Sequence, residues 1–123
     1  MLQRFDDSDL FNRAMEMSIW VHALAETFPP SEDVGLKSRL CSICDSMAGE
    51  LTDGIENSGR MNIGAFLKVL GKAELSNREI QNELSVVRQL RVGDEQARNN
   101  AEALCTDISF KLNELIQSAS AVS

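Results

Sequence analysis

Two adjacent prolines are the strongest constraint on how this chain of 123 residues folds. Pro29 and Pro30 are its only prolines, and the residue before a proline avoids the α region. A helix that begins near Ser8 must therefore end near Thr27. Turn residues at 57–59 and at Gly93 divide the remaining chain. These helix-breaking residues predict four helices, over about residues 8–27, 35–57, 62–92 and 94–117. Residues 118–123 are expected to lie outside the last helix.

The apolar residues of each segment recur in steps of three and four, which is the spacing of one buried helix face. In the first segment they are Leu10, Ala14, Met17, Val21, Leu24 and Phe28. No segment alternates as a β-strand would. Short connections between four helices favour an antiparallel up-down-up-down four-helix bundle, all-α, as a single domain over residues 1–123. With 43% hydrophobic residues, a chain of this length builds its core without disulfide bonds.

Candidate N-caps precede three of the helices. They are Asp7 or Ser8 for the first, Asn62 for the third and Asp94 for the fourth. Asn77 falls in the apolar rhythm of the third helix. It is either a buried amide that fixes the register of the bundle or a residue at the edge of the core.

Several apolar residues fall outside the core face when each helix is projected at about 100° per residue. Ile19 lies opposite the core face of the first helix, with Met15 and Ala23 beside it. Trp20 lies at the edge of that face, and Phe110 points away from the core face of the fourth helix. Loops could cover these residues in an irregular bundle, but we favour an interface with further copies of the chain.

The cysteines and the lone histidine give little support for a metal site. Cys41 and Cys44 form a CxxC motif in the middle of a helix, whereas redox CxxC motifs lie at a helix start. Zinc would need four ligands, which Cys105 and His22 could complete only from three different helices. Buried, reduced thiols are the favoured interpretation. We expect no metal and no cofactor, and whether the CxxC motif has a role beyond packing stays open.

Catalytic motifs are also missing. The carboxylate pairs Glu50 with Asp53 and Glu79 with Glu83 have the spacing to share a helix face. A solvated acidic surface explains them better than acid–base catalysis does. We therefore expect the protein not to be an enzyme.

The charge of the chain is unevenly distributed. The formal net charge is −7, and only the segment 61–92 is positive, at +2. Lys68, Lys72 and Arg78 of that segment form the candidate basic contact. With no tyrosine and one tryptophan there is no platform on which bases could stack. Direct binding of nucleic acid is therefore disfavoured.

The start of the chain is acidic, with Asp6, Asp7 and Asp9 where a signal peptide would be basic and then apolar. No apolar run is long enough to span a membrane. These features predict a cytoplasmic protein that does not enter membranes.

Each of the four segments carries a short motif, and the order of these motifs along the chain is characteristic. Phe28-Pro29 closes the first segment, and Leu112-Asn113 with Leu115-Ile116 closes the last. The second segment carries Leu36, Ser38, Leu40, Ser46, Leu51 and Gly54, and the third carries Phe66, Leu67, Leu70, Ala73, Ser76, Glu79 and Ile80. In this order they resemble the bacterial four-helix-bundle family named after proteins encoded in ribosomal RNA intervening sequences. Diversity-generating retroelement accessory proteins look like relatives of that family.

The resemblance implies a five-fold ring of bundles.

The chain departs from the family motif at several positions of the second segment. Cys41-Ser42 stands where the family commonly has two arginines, Ala48 replaces a proline, Glu50 an asparagine and Asp53 a glutamate. These replacements remove positive charge from a segment that could contact RNA. The expected function is a non-enzymatic, homopentameric scaffold or a protein-interaction protein. The alternative is an accessory factor that contacts RNA or a nucleic-acid enzyme such as a reverse transcriptase.

Overall fold

The computed structural model describes residues 8–30, 34–57, 59–60 and 62–121. These residues form four α-helices: α1 (Ser8–Glu26), α2 (Val34–Glu56), α3 (Ile63–Leu90) and α4 (Glu95–Ala121). No β-strand occurs in this described part of the chain. The predicted all-α class is confirmed.

Each helix packs against the helices that are next to it in the bundle. The pairs in contact are α1 with α2, α2 with α3, α3 with α4, and α4 with α1. Asp9 near the start of α1 pairs with Lys111 at 3.5 Å, whereas Arg13, one turn later, pairs with Asp107 at 2.8 Å. From the first pair to the second, the residue number rises along α1 and falls along α4, so the two helices are antiparallel. The predicted up-down-up-down bundle is confirmed.

The core lies along the axis of the bundle and takes one face from every helix. At Gly54, α2 approaches α3 closely, because a Cβ atom there would lie 2.5 Å from Cγ1 of Val69. The fully buried large side chains are Phe66, Leu10, Met17, Leu24, Leu40, Met47, Leu51, Leu70, Ile80, Leu84, Ile108 and Leu112. Burying them supplies the main driving force for folding.

Two of the predicted N-caps are confirmed. The side chain of Asn62 accepts a hydrogen bond from the backbone N–H of Ala65 at 2.8 Å. Asp94 accepts from the backbone N–H of Ala97 at 2.8 Å. The first helix begins at Ser8, and Asp7, the other candidate for its cap, lies outside the described residues.

The two long helices end elsewhere than predicted. Helix α3 stops at Leu90, because Arg91 adopts a left-handed conformation with φ 56° and donates its N–H to the carbonyl of Val87 at 3.0 Å. Helix α4 continues to Ala121, so the prediction that residues 118–121 lie outside it was wrong. Ala119 is fully buried on the core face, one turn beyond Leu115, and this packing extends the helix.

The turn between α3 and α4 packs on the end of α1. The backbone N–H of Asp94 donates to Oγ1 of Thr27 at 2.7 Å. Gly93 has φ 76°, and a Cβ atom there would lie 2.8 Å from Cδ1 of Leu24 and 3.0 Å from the ring of Phe28. This end of the bundle has no room for a side chain at position 93.

Asn77 is a buried amide, which decides between the two interpretations of its position. It is 2% exposed. Its Nδ2 donates to the backbone carbonyl of Cys105 at 3.0 Å, whereas Oδ1 has no hydrogen-bond partner among the described residues. The bond ties the middle of α3 to the middle of α4, as a register-fixing residue would.

Candidate functional site

The outer face of α1 carries a short apolar stripe. Met15, Ile19 and Ala23 follow one another at intervals of one turn, and all three are exposed. Trp20 differs, since it is half-buried and packs against the core. The structure therefore brings three of the predicted interface residues of α1 together and leaves Trp20 at the edge of the core.

Phe110 is exposed on the outer face of α4, but it does not join the α1 stripe. Its neighbour Lys111 pairs with Asp9, so Phe110 lies level with the first turn of α1. Ile19 lies almost three turns further along. The predicted interface residues thus fall on two separate faces of the bundle.

A third apolar face on α3 was missed in the sequence. Leu75, Val86 and Leu90 are exposed there. Steps of 11 and 4 residues return to nearly the same side of a helix, so projecting α3 in the way that α1 and α4 were projected would have found them. Across the described residues, the exposed large apolar side chains are Met15 42%, Ile19 65%, Leu75 58%, Val86 42%, Leu90 50% and Phe110 65%.

The candidate basic residues do not converge. Lys68 and Lys72 are exposed, and their spacing to Leu75 places them on the outer face of α3. Arg78 points to another side of the helix and pairs with Glu74 at 2.8 Å. The arrangement provides a pair of lysines beside an apolar face and no three-residue basic patch.

The thiols lie in or beside the core. Cys44 and Cys105 are buried, and Cys41 is half-buried. Burial raises the pKa of all three thiols, and it raises the pKa of Cys105 to about 12. The thiol of Cys105 contacts Sδ of Met17 at 3.2 Å. These groups are protonated at neutral pH, which is the state of packing residues and not of nucleophiles.

His22 and one carboxylate of each acidic pair make contacts between helices. His22 Nε2 lies 3.1 Å from Oδ1 of Asp45 on α2. Glu50 accepts a hydrogen bond from the hydroxyl of Ser76 at 3.2 Å, and Glu83 pairs with Arg39 at 3.5 Å. A search of the described residues finds no group of three or more His, Cys, Asp or Glu side chains placed to hold a metal ion.

Exposed ion pairs join the start of α1 to α4. The guanidinium of Arg13, hydrogen-bonded to Asp9 at 3.0 Å, lowers the pKa of that carboxyl.

In the described helices, no segment is long and apolar enough to cross a membrane. Among the described residues, the exposed apolar faces of the bundle are the candidate functional features.

Comparison with known families agrees with this geometry. A family model described as 23S rRNA-intervening sequence protein matches residues 6–114. The chain belongs to that family. A comparison with curated proteins gives no match. The family resemblance of the motifs is confirmed, and the relation to diversity-generating retroelement accessory proteins stays a prediction.

The departures from the motif of the 23S rRNA-intervening sequence protein family occupy identifiable places on α2. Cys41 packs against the core, Ser42 is exposed, and Ala48 is buried within an uninterrupted helix. Glu50 lies between α2 and α3, where it accepts the hydrogen bond from Ser76. Position 42, where the resemblance implies an arginine, is thus exposed.

Proposed function

We propose that this chain is a non-enzymatic scaffold that assembles with further copies of itself into a homopentameric ring and presents the outer surface of the ring to a protein partner. The observation that carries the proposal is the set of large apolar side chains exposed on α1, α3 and α4. A single exposed apolar residue is ordinary in a monomer. Apolar residues repeated along the outer faces of α1 and α3 are typical of surfaces that a partner covers, and Phe110 adds a single residue on α4.

The placement of these faces favours a ring over a two-fold dimer. A two-fold dimer joins one self-complementary face to its own copy, whereas a ring joins two different faces head to tail. The helices α1 and α3 are diagonal in the bundle, because each contacts only α2 and α4. Their apolar faces therefore point in different directions, as a ring requires. The number five rests on the family resemblance alone.

The alternative, an accessory factor that contacts RNA or a reverse transcriptase, has weaker support. Lys68 and Lys72 are available on α3, but Arg78 is paired with Glu74 and points elsewhere. The net charge of −7 repels phosphate backbones. We therefore do not favour direct contact with nucleic acid.

Size-exclusion chromatography with light scattering tests the assembly. The expected mass is five times the 13.6 kDa of one chain. Ile19→Asp and Leu75→Asp each place a charge in one apolar face, and each should shift the mass to that of smaller species. Ser46→Asp adds the same charge to an exposed position of α2 and should leave the mass unchanged.

Circular dichroism of each variant verifies that the helices are intact. A clean monomer of the wild-type chain at micromolar concentration would overturn the proposal. A defined mass other than five subunits would overturn the pentameric ring. Equal loss of mass in Ser46→Asp would show that the apolar faces of α1 and α3 are not the interface.

A further inference from the structure

A cleft of about 570 Å³ lies where α3 turns into α4. Its lining consists of Arg88, Gln89, Arg91, Gly93, Glu95 and Arg98. The cleft does not include any of the exposed apolar residues described above. Its lining is therefore distinct from the apolar residues of the proposed assembly surfaces, although Leu90 of α3 is the chain neighbour of Gln89 and Arg91.

Arg98 is the buried member of the lining, with 7% of its surface exposed. The nearest carboxylate oxygens are Glu95 Oε1, 3.8 Å from Nη2, and Glu102 Oε1, 4.0 Å from Nε. Both separations exceed the roughly 2.7–2.9 Å of a charge-assisted hydrogen bond. Nη2 also donates to Oδ1 of Asn99 at a long 3.5 Å.

The guanidinium of Arg98 therefore lacks a close acceptor. Its Nε is buried and has no hydrogen-bond partner among the residues that the structure describes. A buried charge is unfavourable unless its donors are paired. An oxyanion in the cleft would supply acceptors to the remaining donors of this guanidinium.

Arg88 and Arg91 differ in whether their guanidinium groups already have a partner. Arg88 donates through Nε to Glu102 at 3.1 Å and through Nη2 to the same carboxylate. Arg91 takes part in no ion pair with any other described residue. The side chain of Glu95 is 80% exposed, so it can rotate into solvent when a ligand enters. Arg91 and Arg98 thus have donors available to a ligand.

The charge of the lining suits an anion. The lining holds three guanidinium groups and the carboxylate of Glu95, and Glu102, which pairs with Arg88, leaves a net charge of +1 in a chain whose total is −7. Guanidinium groups bind phosphate in a bidentate manner and remain charged at all physiological pH values.

We propose that the cleft between α3 and α4 is a binding site for a phosphate group, held by Arg91 and Arg98 with support from Arg88. Carboxylates share the recognition chemistry but have only two acceptor oxygens, which lie in one plane. The tetrahedral oxygens of a phosphate group can accept from Arg91 and Arg98 together.

The test follows the backbone amide NMR shifts of residues 91–98 while inorganic phosphate is added, with sodium chloride holding the ionic strength constant. We expect saturable shifts centred on this turn. Acetate, titrated in the same way, should bind more weakly. Arg91→Gln removes an exposed donor and should weaken phosphate binding roughly tenfold, since a hydrogen bond to a charged group contributes about that factor.

Arg98→Lys keeps the positive charge but loses the planar fork, and it should also weaken binding. Arg39→Gln removes the same charge from α2, where Arg39 pairs with Glu83, and should bind phosphate like the wild type. Circular dichroism verifies that each variant is folded. Absence of saturable shifts at the turn, equal weakening in Arg39→Gln, or acetate binding as tight as phosphate binding would overturn the proposal.

Discussion

At the scale of single residues, burial determines how readily a side chain ionises, and the three thiols are an example. The sequence shows only that Cys41 and Cys44 are three positions apart. In the structure Cys44 and Cys105 are buried, whereas Cys41 is half-buried. Burial disfavours the thiolate and so raises the pKa of each thiol. Between the pKa of an ordinary thiol and the raised pKa of the buried one, the folded chain keeps protons that the unfolded chain has lost.

The free energy of unfolding should therefore fall as the pH rises above about 8.5, the pKa of an unperturbed thiol. In that range the unfolded state binds fewer protons than the folded state, so stability decreases with pH. Between about pH 8 and 10, one thiol whose pKa is raised to about 12 contributes a loss of roughly 2 kcal/mol. Urea unfolding at the two pH values measures it.

The matched variants are Cys105→Ala and Cys41→Ala. Removing the buried Cys105 should reduce the loss of stability between the two pH values clearly, and removing the half-buried Cys41 should reduce it less. The same dependence on pH in the wild type and in Cys105→Ala would show that ionisation of this thiol is not coupled to unfolding.

The helices begin close to where the sequence predicts, but the end of α4 is determined by tertiary packing. The caps at Asn62 and Asp94 use local hydrogen bonds to the backbone N–H three residues later, and such bonds depend on neighbouring residues only. The end of α4 depends on Ala119, whose burial requires the rest of the bundle. Local signals therefore predicted the helix starts, and they could not predict the extension of α4.

The candidate surfaces were also predicted only in part, because local patterns show which residues are exposed and not how the helices pack. Ile19 and Phe110 follow from the helical period, and both are exposed. That they lie on separate faces follows from the pairing of α1 with α4, which no local pattern contains. The cleft at the turn was also beyond the sequence analysis, because the left-handed conformation of Arg91 and the burial of Arg98 exist only once α3 and α4 pack.

Replacing the cap of α4 should destabilise the protein. Asp94→Ala removes the acceptor for the N–H of Ala97 and should lower the free energy of unfolding by about 1 kcal/mol. Urea unfolding measures the change. Asp53→Ala makes the same substitution at an exposed position inside α2, where alanine is the better helix former, and should cause no loss. Equal destabilisation in both variants would contradict the capping role of Asp94.

At the scale of the whole molecule, the bundle combines a complete core with outer faces that are apolar in three places. The core explains how one chain folds, and the outer faces of α1 and α3 are where folding would be coupled to association. Assembly stabilises the folded state by mass action, since only folded subunits associate.

The melting temperature should consequently rise with protein concentration. Differential scanning calorimetry over a hundredfold range of concentration measures it. Ile19→Asp, which weakens one face of the proposed ring, should melt at a temperature that depends less on concentration. Ser46→Asp, on the outer surface of α2, should behave like the wild type. A melting temperature independent of concentration in the wild type would contradict coupled folding and assembly.

The contact of Gly93 with α1 ties together positions that are far apart in the chain. A side chain at 93 would meet Leu24 and Phe28, and only glycine adopts its backbone conformation without strain. During evolution these three positions cannot drift independently. Among family members, asparagine or aspartate, the other residues that tolerate a positive φ, should occur at the position of Gly93 only together with a smaller residue at 24 or 28, so covariation of these sites would record this contact in the history of the family.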